Sequence, residues 1–152
     1  GETVADISAS YSKLNGITVP KKRAVSMIDE YPILSIAAVK AKGRTVMEGV
    51  EELRYKETDR ISTICEGLNS IGIETFDTKD RVVINGKGPD CILNGNKTIK
   101  SKNDHRIAMS FLCLGLITEN PITVIDTDTI NSSFPFFFET MNRIGAKLKH
   151  IK

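Results

Sequence analysis

Three bases in this chain stand where elementary electrostatics disfavours a cation. Lys56, Arg60 and Arg106 fall in or beside the first turns of segments with helical periodicity. The N-terminal end of a helix is partially positive, so a base there is disfavoured by roughly 0.3–1 kcal/mol. The acids and hydroxyls at similar places, Asp29, Asp104 and Ser132-Ser133, have an ordinary explanation as caps for free backbone N–H groups. Several cations that break a local rule together point to a site that needs them. Helix N–H groups, helix dipoles and arginine forks all favour a phosphate or a carboxylate. Two carboxyls belong to the same set. Glu57 lies between Lys56 and Arg60, and Asp29 lies at another helix start. Carboxyls in different surroundings can divide acid and base duties. His105, between Asp104 and Arg106, can titrate too, although such a histidine more often orients or caps.

Other chemistries leave no trace. There is no GxGxxG, P-loop or HExxH, so no metal or nucleotide cofactor is implied. The three cysteines, Cys65, Cys91 and Cys113, are widely spaced without a CxxC and read as reduced core thiols. With 21 Lys+Arg against 19 Asp+Glu, a nucleic-acid surface is not indicated. No apolar run approaches the ~20 residues of a membrane span. The opening Gly1-Glu2-Thr3-Val4 is not a secretory signal. A chain of 152 residues, 40% of them hydrophobic, suits one domain with a real core.

The elements that must position these groups follow from periodicity. Residues 1–20 look extended, with a turn at Asn15-Gly16, β-branched Ile17-Thr18-Val19, and a solvated loop at Lys21-Lys22-Arg23. A first helix opens at Asp29 or Glu30, with Asp29 as its cap and Pro32 in its first turn, and Gly43 stops it. Thr45-Val46-Met47 follows as a strand. A second helix starts near Thr58, carries Ile61, Ile64, Cys65, Leu68 and Ile71 on one face, and ends at Gly72. Ile73 to Phe76 and Arg81 to Ile84 read as a hairpin, and the stretch from Asn85 to Lys100 as loop. A third helix, opening at Asn103 or Asp104 and stopping at Asn120-Pro121, is apolar almost all round and expected to be buried. After a strand over Ile122 to Ile125, a fourth helix opens at Ser132 or Ser133. Its phenylalanine run (Phe134, Phe137, Phe138) reads as core, Gly145 caps it, and Lys147 to Ile151 alternates like a final strand. Helix, strand, helix and strand thus occur twice, over 29–76 and 104–151. That repeat predicts a single α/β (α+β) domain over 1–152, with the helix starts at one end.

The motifs themselves resemble a known family. Gly49-Val50-Glu51-Glu52-Leu53-Arg54-Tyr55-Lys56-Glu57-Thr58-Asp59-Arg60, Asn103-Asp104-His105-Arg106-Ile107-Ala108-Met109 and Ser133-Phe134-Pro135 are similar to segments of the enolpyruvylshikimate-phosphate synthases. So are Gly1-Glu2-Thr3-Val4-Ala5-Asp6 and Ile28-Asp29-Glu30-Tyr31-Pro32. The resemblance implies lobes built of repeated βαβαββ units, an inside-out α/β barrel, with a site between two lobes. It implies transfer of the carboxyvinyl group of phosphoenolpyruvate to the 5-hydroxyl of shikimate 3-phosphate, releasing phosphate, in the cytoplasm and without a cofactor. On this likeness Asp29 binds shikimate 3-phosphate and accepts a proton, Lys56 contacts shikimate 3-phosphate, and Glu57 is the acid–base partner of the methylene carbon. Arg60 and Arg106 grip phosphoenolpyruvate. Ser132 stands where some members carry a Lys, and Glu52 where some carry an Asn. The chain looks like the C-terminal part of such a protein, and its expected partner is the N-terminal lobe. Alone it is expected to be inactive. The alternative is an anion-binding or structural half-lobe without catalysis.

Overall fold

A computed structural model describes residues 1–151. Residues 1–14 carry no regular structure and are exposed. The first sheet forms around buried side chains: β2 (Lys42–Glu48) turns Thr45 and Met47 inward, and β4 (Arg81–Lys87) buries Val82, Val83 and Ile84. The short β1 (Thr18–Val19) runs parallel to β2, with Thr18 opposite Val46. The crossover between them contains α1 (Tyr31–Val39). β4 is antiparallel to β2, and β3 (Thr75–Thr78) pairs with the far side of β4, so the order is β1-β2-β4-β3. A second sheet has two parallel strands, β5 (Thr98–Lys100) and β6 (Thr123–Ile125). β5 lies in the stretch expected to be loop. Three residues are too few for a periodicity to register, and its pairing partner is far along the chain.

The helices α2 (Arg60–Ser70) and α3 (His105–Leu114) start where capping acids stand. Asp59 accepts from the Ser62 amide at 3.0 Å, and Asp104 accepts from Arg106 and Ile107 amides at 2.9 and 3.3 Å. Both apolar faces meet the main core around Tyr31, Leu53, Ile61, Leu68, Ile84 and Phe111. Gly67 lets the Phe111 ring close on α2, because a Cβ there would strike the ring.

Several expectations are corrected. Asp29 is not a cap: Glu30 precedes α1, and no side chain caps it. Gly43 does not stop α1, which ends at Val39. Instead Gly43 sits in β2 at φ +87°, opposite Gly86. The chain turns earlier through tight backbone bonds from Lys40 N–H to the Ala37 carbonyl at 3.2 Å and from Ala41 N–H to the Ala38 carbonyl at 3.1 Å, and Lys40 Nζ reaches the Pro89 and Cys91 carbonyls at 3.2 and 2.5 Å. α3 is not buried all round and ends at Leu114, followed by a tight turn over Gly115–Ile117; Met109, Leu112 and Cys113 are half-buried. The fourth helix is two pieces, α4 (Ile130–Ser133) and α5 (Phe137–Arg143). Ser132 and Ser133 close the first piece rather than open a helix. A proline disfavours helical backbone at the residue before it, and Phe134 has left the helical region at φ −144°, ψ 79°. The phenylalanine run is not uniformly core: Phe137 is buried in a small cluster with Ala108 and Ile130, and Phe138 packs against it, but Phe134 is 42% exposed.

Lys147 to Ile151 forms no strand. In the first sheet β4 stands between β2 and β3. Among the described residues β6 has no such second neighbour, so the segment has no ladder to join. The side-chain amide of Asn142 substitutes for one, accepting from the Leu148 amide at 2.8 Å and donating to its carbonyl at 3.1 Å. Among the described residues no helix is long and apolar enough to cross a membrane.

Candidate active site

The guanidinium of Arg60 is the centre of the site. It projects from the first turn of α2, is 1% exposed, and is the largest side chain so deeply buried. Burying a cation is tolerable only where charges and hydrogen bonds replace water. Three carboxylates do so. Nε donates to Asp104 Oδ2 at 2.7 Å, Nη1 to Asp29 Oδ1 at 3.0 Å, and Nη2 to Glu57 Oε2 at 2.7 Å. Burial alone would lower the Arg60 pKa, but the Asp104 bond and charge outweigh it and raise it further.

Two of the three acids tie in another element. Asp104 is wholly buried; its Oδ1 caps α3 while its Oδ2 holds Arg60, so one carboxylate joins the starts of two helices. Asp29 lies in the turn before α1 and also faces Arg106, whose Nη2 is 3.2 Å from Asp29 Oδ2 and whose Nη1 donates to the Asp29 carbonyl at 3.1 Å. Burial pushes the Asp29 carboxyl up, but the Arg60 hydrogen bond and the charges of Arg106, Arg60 and Lys56 outweigh it and hold it below the ordinary range. Glu57 is about half exposed on the loop before α2. Lys56, beside it, is held by Glu52 at 2.7 Å.

The structure therefore brings Asp29, Glu57, Arg60 and Arg106 to one end of the fold, with Lys56 at the edge. His105 opens α3 half-exposed and makes none of the contacts that tie the cluster. Ser132 and Ser133 are exposed and also outside it. Asp104 is the participant that residue types alone do not single out. Its signal is positional: an Asp followed by a helical apolar pattern is a cap, and this cap's second oxygen is left for a neighbour.

The arrangement differs from an open anion cradle. Every base at these helix starts already has a carboxylate partner: Lys56 has Glu52, Arg60 has Asp104, Asp29 and Glu57, and Arg106 has Asp29. That is also why cations are tolerated beside helix N-termini here. Arg106, with 35% of its side chain exposed, is the arginine of the pair that reaches solvent.

The chain is similar to known proteins over nearly its whole length. A model of the family "EPSP synthase (3-phosphoshikimate 1-carboxyvinyltransferase)" matches residues 1–141. The chain belongs to the EPSP synthase family. A 3-phosphoshikimate 1-carboxyvinyltransferase of Chelativorans sp. (strain BNC1) is 49% identical over 149 residues, covering 98% of this chain and 33% of that protein. One from Jannaschia sp. (strain CCS1) is 50% identical over 149 residues, covering 97% and 33%. The solved EPSP synthase of Acinetobacter baumannii superposes with a TM-score of 0.84 at 45% identity, over 89% of this chain and 31% of that one. The chain spans about a third of the length of the curated relatives it matches. Its mixed α/β architecture is that of EPSP synthase structures.

Proposed function

We propose that this chain, as a C-terminal portion of an EPSP synthase, supplies part of a site that joins phosphoenolpyruvate to shikimate 3-phosphate in the cytoplasm. The observation that carries the reading is the convergence of Asp29, Glu57 and Asp104 on Arg60, with Arg106 closing the rim. Arg106 offers its exposed edge to the carboxylate of phosphoenolpyruvate. Arg60 joins when that carboxylate replaces Asp29 or Glu57 on its outer nitrogens, while Asp104 keeps hold of Nε. Asp29 then loses cationic partners and becomes more basic. Lys56 turns to shikimate 3-phosphate.

The proton bookkeeping is closed. Glu57, which takes up a proton from water on leaving Arg60, gives it to the methylene carbon of phosphoenolpyruvate, and the 5-hydroxyl attacks the adjacent carbon. The hydroxyl proton passes to Asp29. The methyl carbon then returns a proton to Glu57 as the C–O bond to phosphate breaks, and phosphate departs with the proton from Asp29. Positioned acid and base groups contribute about 10²–10⁴-fold.

Because the bases here are matched by acids, two anionic substrates need further cations, and we assign those to the N-terminal lobe. The test is phosphate release that depends on shikimate 3-phosphate. The 152 residues alone are expected to release none, and the full chain to turn over. Arg106→Ala in the full chain raises KM for phosphoenolpyruvate about tenfold to a hundredfold, the value of a charge-assisted contact. Turnover by the isolated chain refutes the partial-site reading; an inert full chain refutes the reaction and leaves the non-catalytic half-lobe.

A further inference from the structure

Lys56 and Glu57 sit in an irregular loop between a tight turn over Glu51–Tyr55 and the start of α2. Tyr55 is 77% exposed, so the loop gets no anchor from packing at that point. Glu52 holds Lys56 and Arg60 holds Glu57, but both contacts are given up to substrates in the reaction assigned above, so another residue must fix the loop, because proton transfer to a carbon needs a donor held in place. We propose that Arg54 is the positioning residue that holds this loop in its working shape, an inference that rests on the reaction assigned above.

The geometry is a two-way brace. Arg54 Nη1 donates to Asp59 Oδ2 at 2.8 Å and to Ser62 Oγ at 3.2 Å. That contact closes the loop over Lys56 and Glu57, since Arg54 and Asp59 flank it on either side. Nη2 donates to Asp77 Oδ2 and to the Thr78 carbonyl, both at 2.6 Å, and Nε to the Lys79 carbonyl at 3.1 Å. These three bonds fasten the closed loop to the end of β3 and the turn that follows it. All five N–H groups of the guanidinium are thereby used, in a fork that an ammonium cannot reproduce. Asp59 is itself the cap of α2, so the brace also sets the first turn from which Arg60 projects. Arg54 touches none of Asp29, Asp104 and Arg106. It acts through the loop and the cap.

A residue with that duty has a kinetic signature different from a stabilising ion pair. Displacing a reacting group by about 1 Å can cost on the order of a hundredfold in rate. Arg106 is outside the braced loop, and Arg60 keeps its 2.7 Å bond to the buried Asp104 without the brace, so binding of phosphoenolpyruvate is largely spared. Shikimate 3-phosphate, the assigned partner of Lys56, is not.

The experiment compares Arg54→Ala, Arg54→Lys and Arg81→Ala in the full chain. Arg81, at the start of β4 in the same hairpin, makes an exposed ion pair with Glu48 of β2 at 3.2 Å and serves as the control for lost surface charge. For Arg54→Ala we expect kcat to fall about tenfold to a hundredfold and KM for shikimate 3-phosphate to rise, with KM for phosphoenolpyruvate within about threefold. Arg54→Lys should recover little of kcat, and added guanidinium ion below denaturing concentration should restore part of it to Arg54→Ala. Arg81→Ala should keep both constants. If Arg54→Ala fails to fold, the split between the two KM values in Arg54→Lys decides. Full activity in either folded Arg54 variant, or loss shared equally between the substrates, overturns the inference alone. A wild-type full chain without turnover overturns the reaction, and this inference with it.

Discussion

The pair between Arg60 and Asp104 permits a quantitative test of the buried site. Asp104→Ala removes two things: the partner of a buried guanidinium and the cap of α3. Breaking a buried ion pair by deleting one member costs about 3–5 kcal/mol, because the other charge stays behind unpaired. Arg60 still has Asp29 and Glu57, which places the loss near the lower end. Loss of an Asp cap costs ~1 kcal/mol more. The expected total is ~4 kcal/mol for Asp104→Ala. Asn caps as well as Asp, so Asp104→Asn isolates the charge and should cost ~3 kcal/mol. At about 2–4 °C per kcal/mol for a domain of this size, the alanine variant melts roughly 8–16 °C lower. The chain has no Trp, so urea unfolding is best followed by far-ultraviolet circular dichroism. A loss below ~1 kcal/mol for Asp104→Ala, or a larger loss for Asn than for Ala, would refute the view that one carboxylate serves both helix and cation.

Two more perturbations probe the frame around the site. Gly67→Ala should destabilise by about 1–3 kcal/mol despite the better helix propensity of Ala, since the new Cβ meets the buried Phe111 ring; thermal melting should show partial recovery in the double variant with Phe111→Leu. Acid should weaken the fold through Asp29 and Asp59. Burial pushes both carboxyls up, but Arg60, Arg106 and Lys56 around Asp29, and the Ser62 amide and Arg54 around Asp59, leave both lowered. Unfolded Asp titrates near ~3.9, so just below that the unfolded chain binds more protons. Their stabilisation is therefore present above about pH 4 and lost as pH falls through the folded pKa values. Both groups are partly exposed, which keeps each contribution small. Asp59→Asn, which preserves a cap, should flatten the acid limb of a plot of urea midpoint against pH; an unchanged limb would count against the Arg54–Asp59 pair.

Much of the site was legible because its logic is local. A cation beside a helix start is an anomaly visible in one dimension, and Lys56, Arg60 and Arg106 all carry it. What the local view hides is the answer to the anomaly. Asp104 and Asp29 lie 44 and 31 residues from Arg60, and only folding shows that they neutralise it. For the same reason Asp29 passes for a cap in sequence, when its carboxylate is committed to two arginines. Helices with a capping acid and a clear apolar face, α2 and α3, begin close to where periodicity puts them. Failures gather where a long-range partner decides. β5 exists because β6 pairs with it, and Lys147 to Ile151 alternates correctly for a strand but has no neighbour. Pro135 was visible, yet it reads equally well as a first-turn residue or as a break. Only the non-helical backbone of Phe134 distinguishes the two.

The depth of Arg60 divides the site into halves that respond differently to ionic strength. Mobile ions screen exposed charges over a Debye length of about 8 Å at physiological salt and far less at 1 M, but they do not enter a packed interior. Lys56 and Glu52 meet at the surface, so added salt loosens their hold on each other. Arg60 and Asp104 are sealed from it. High salt thus sets the outer lysine free while the inner framework keeps its shape.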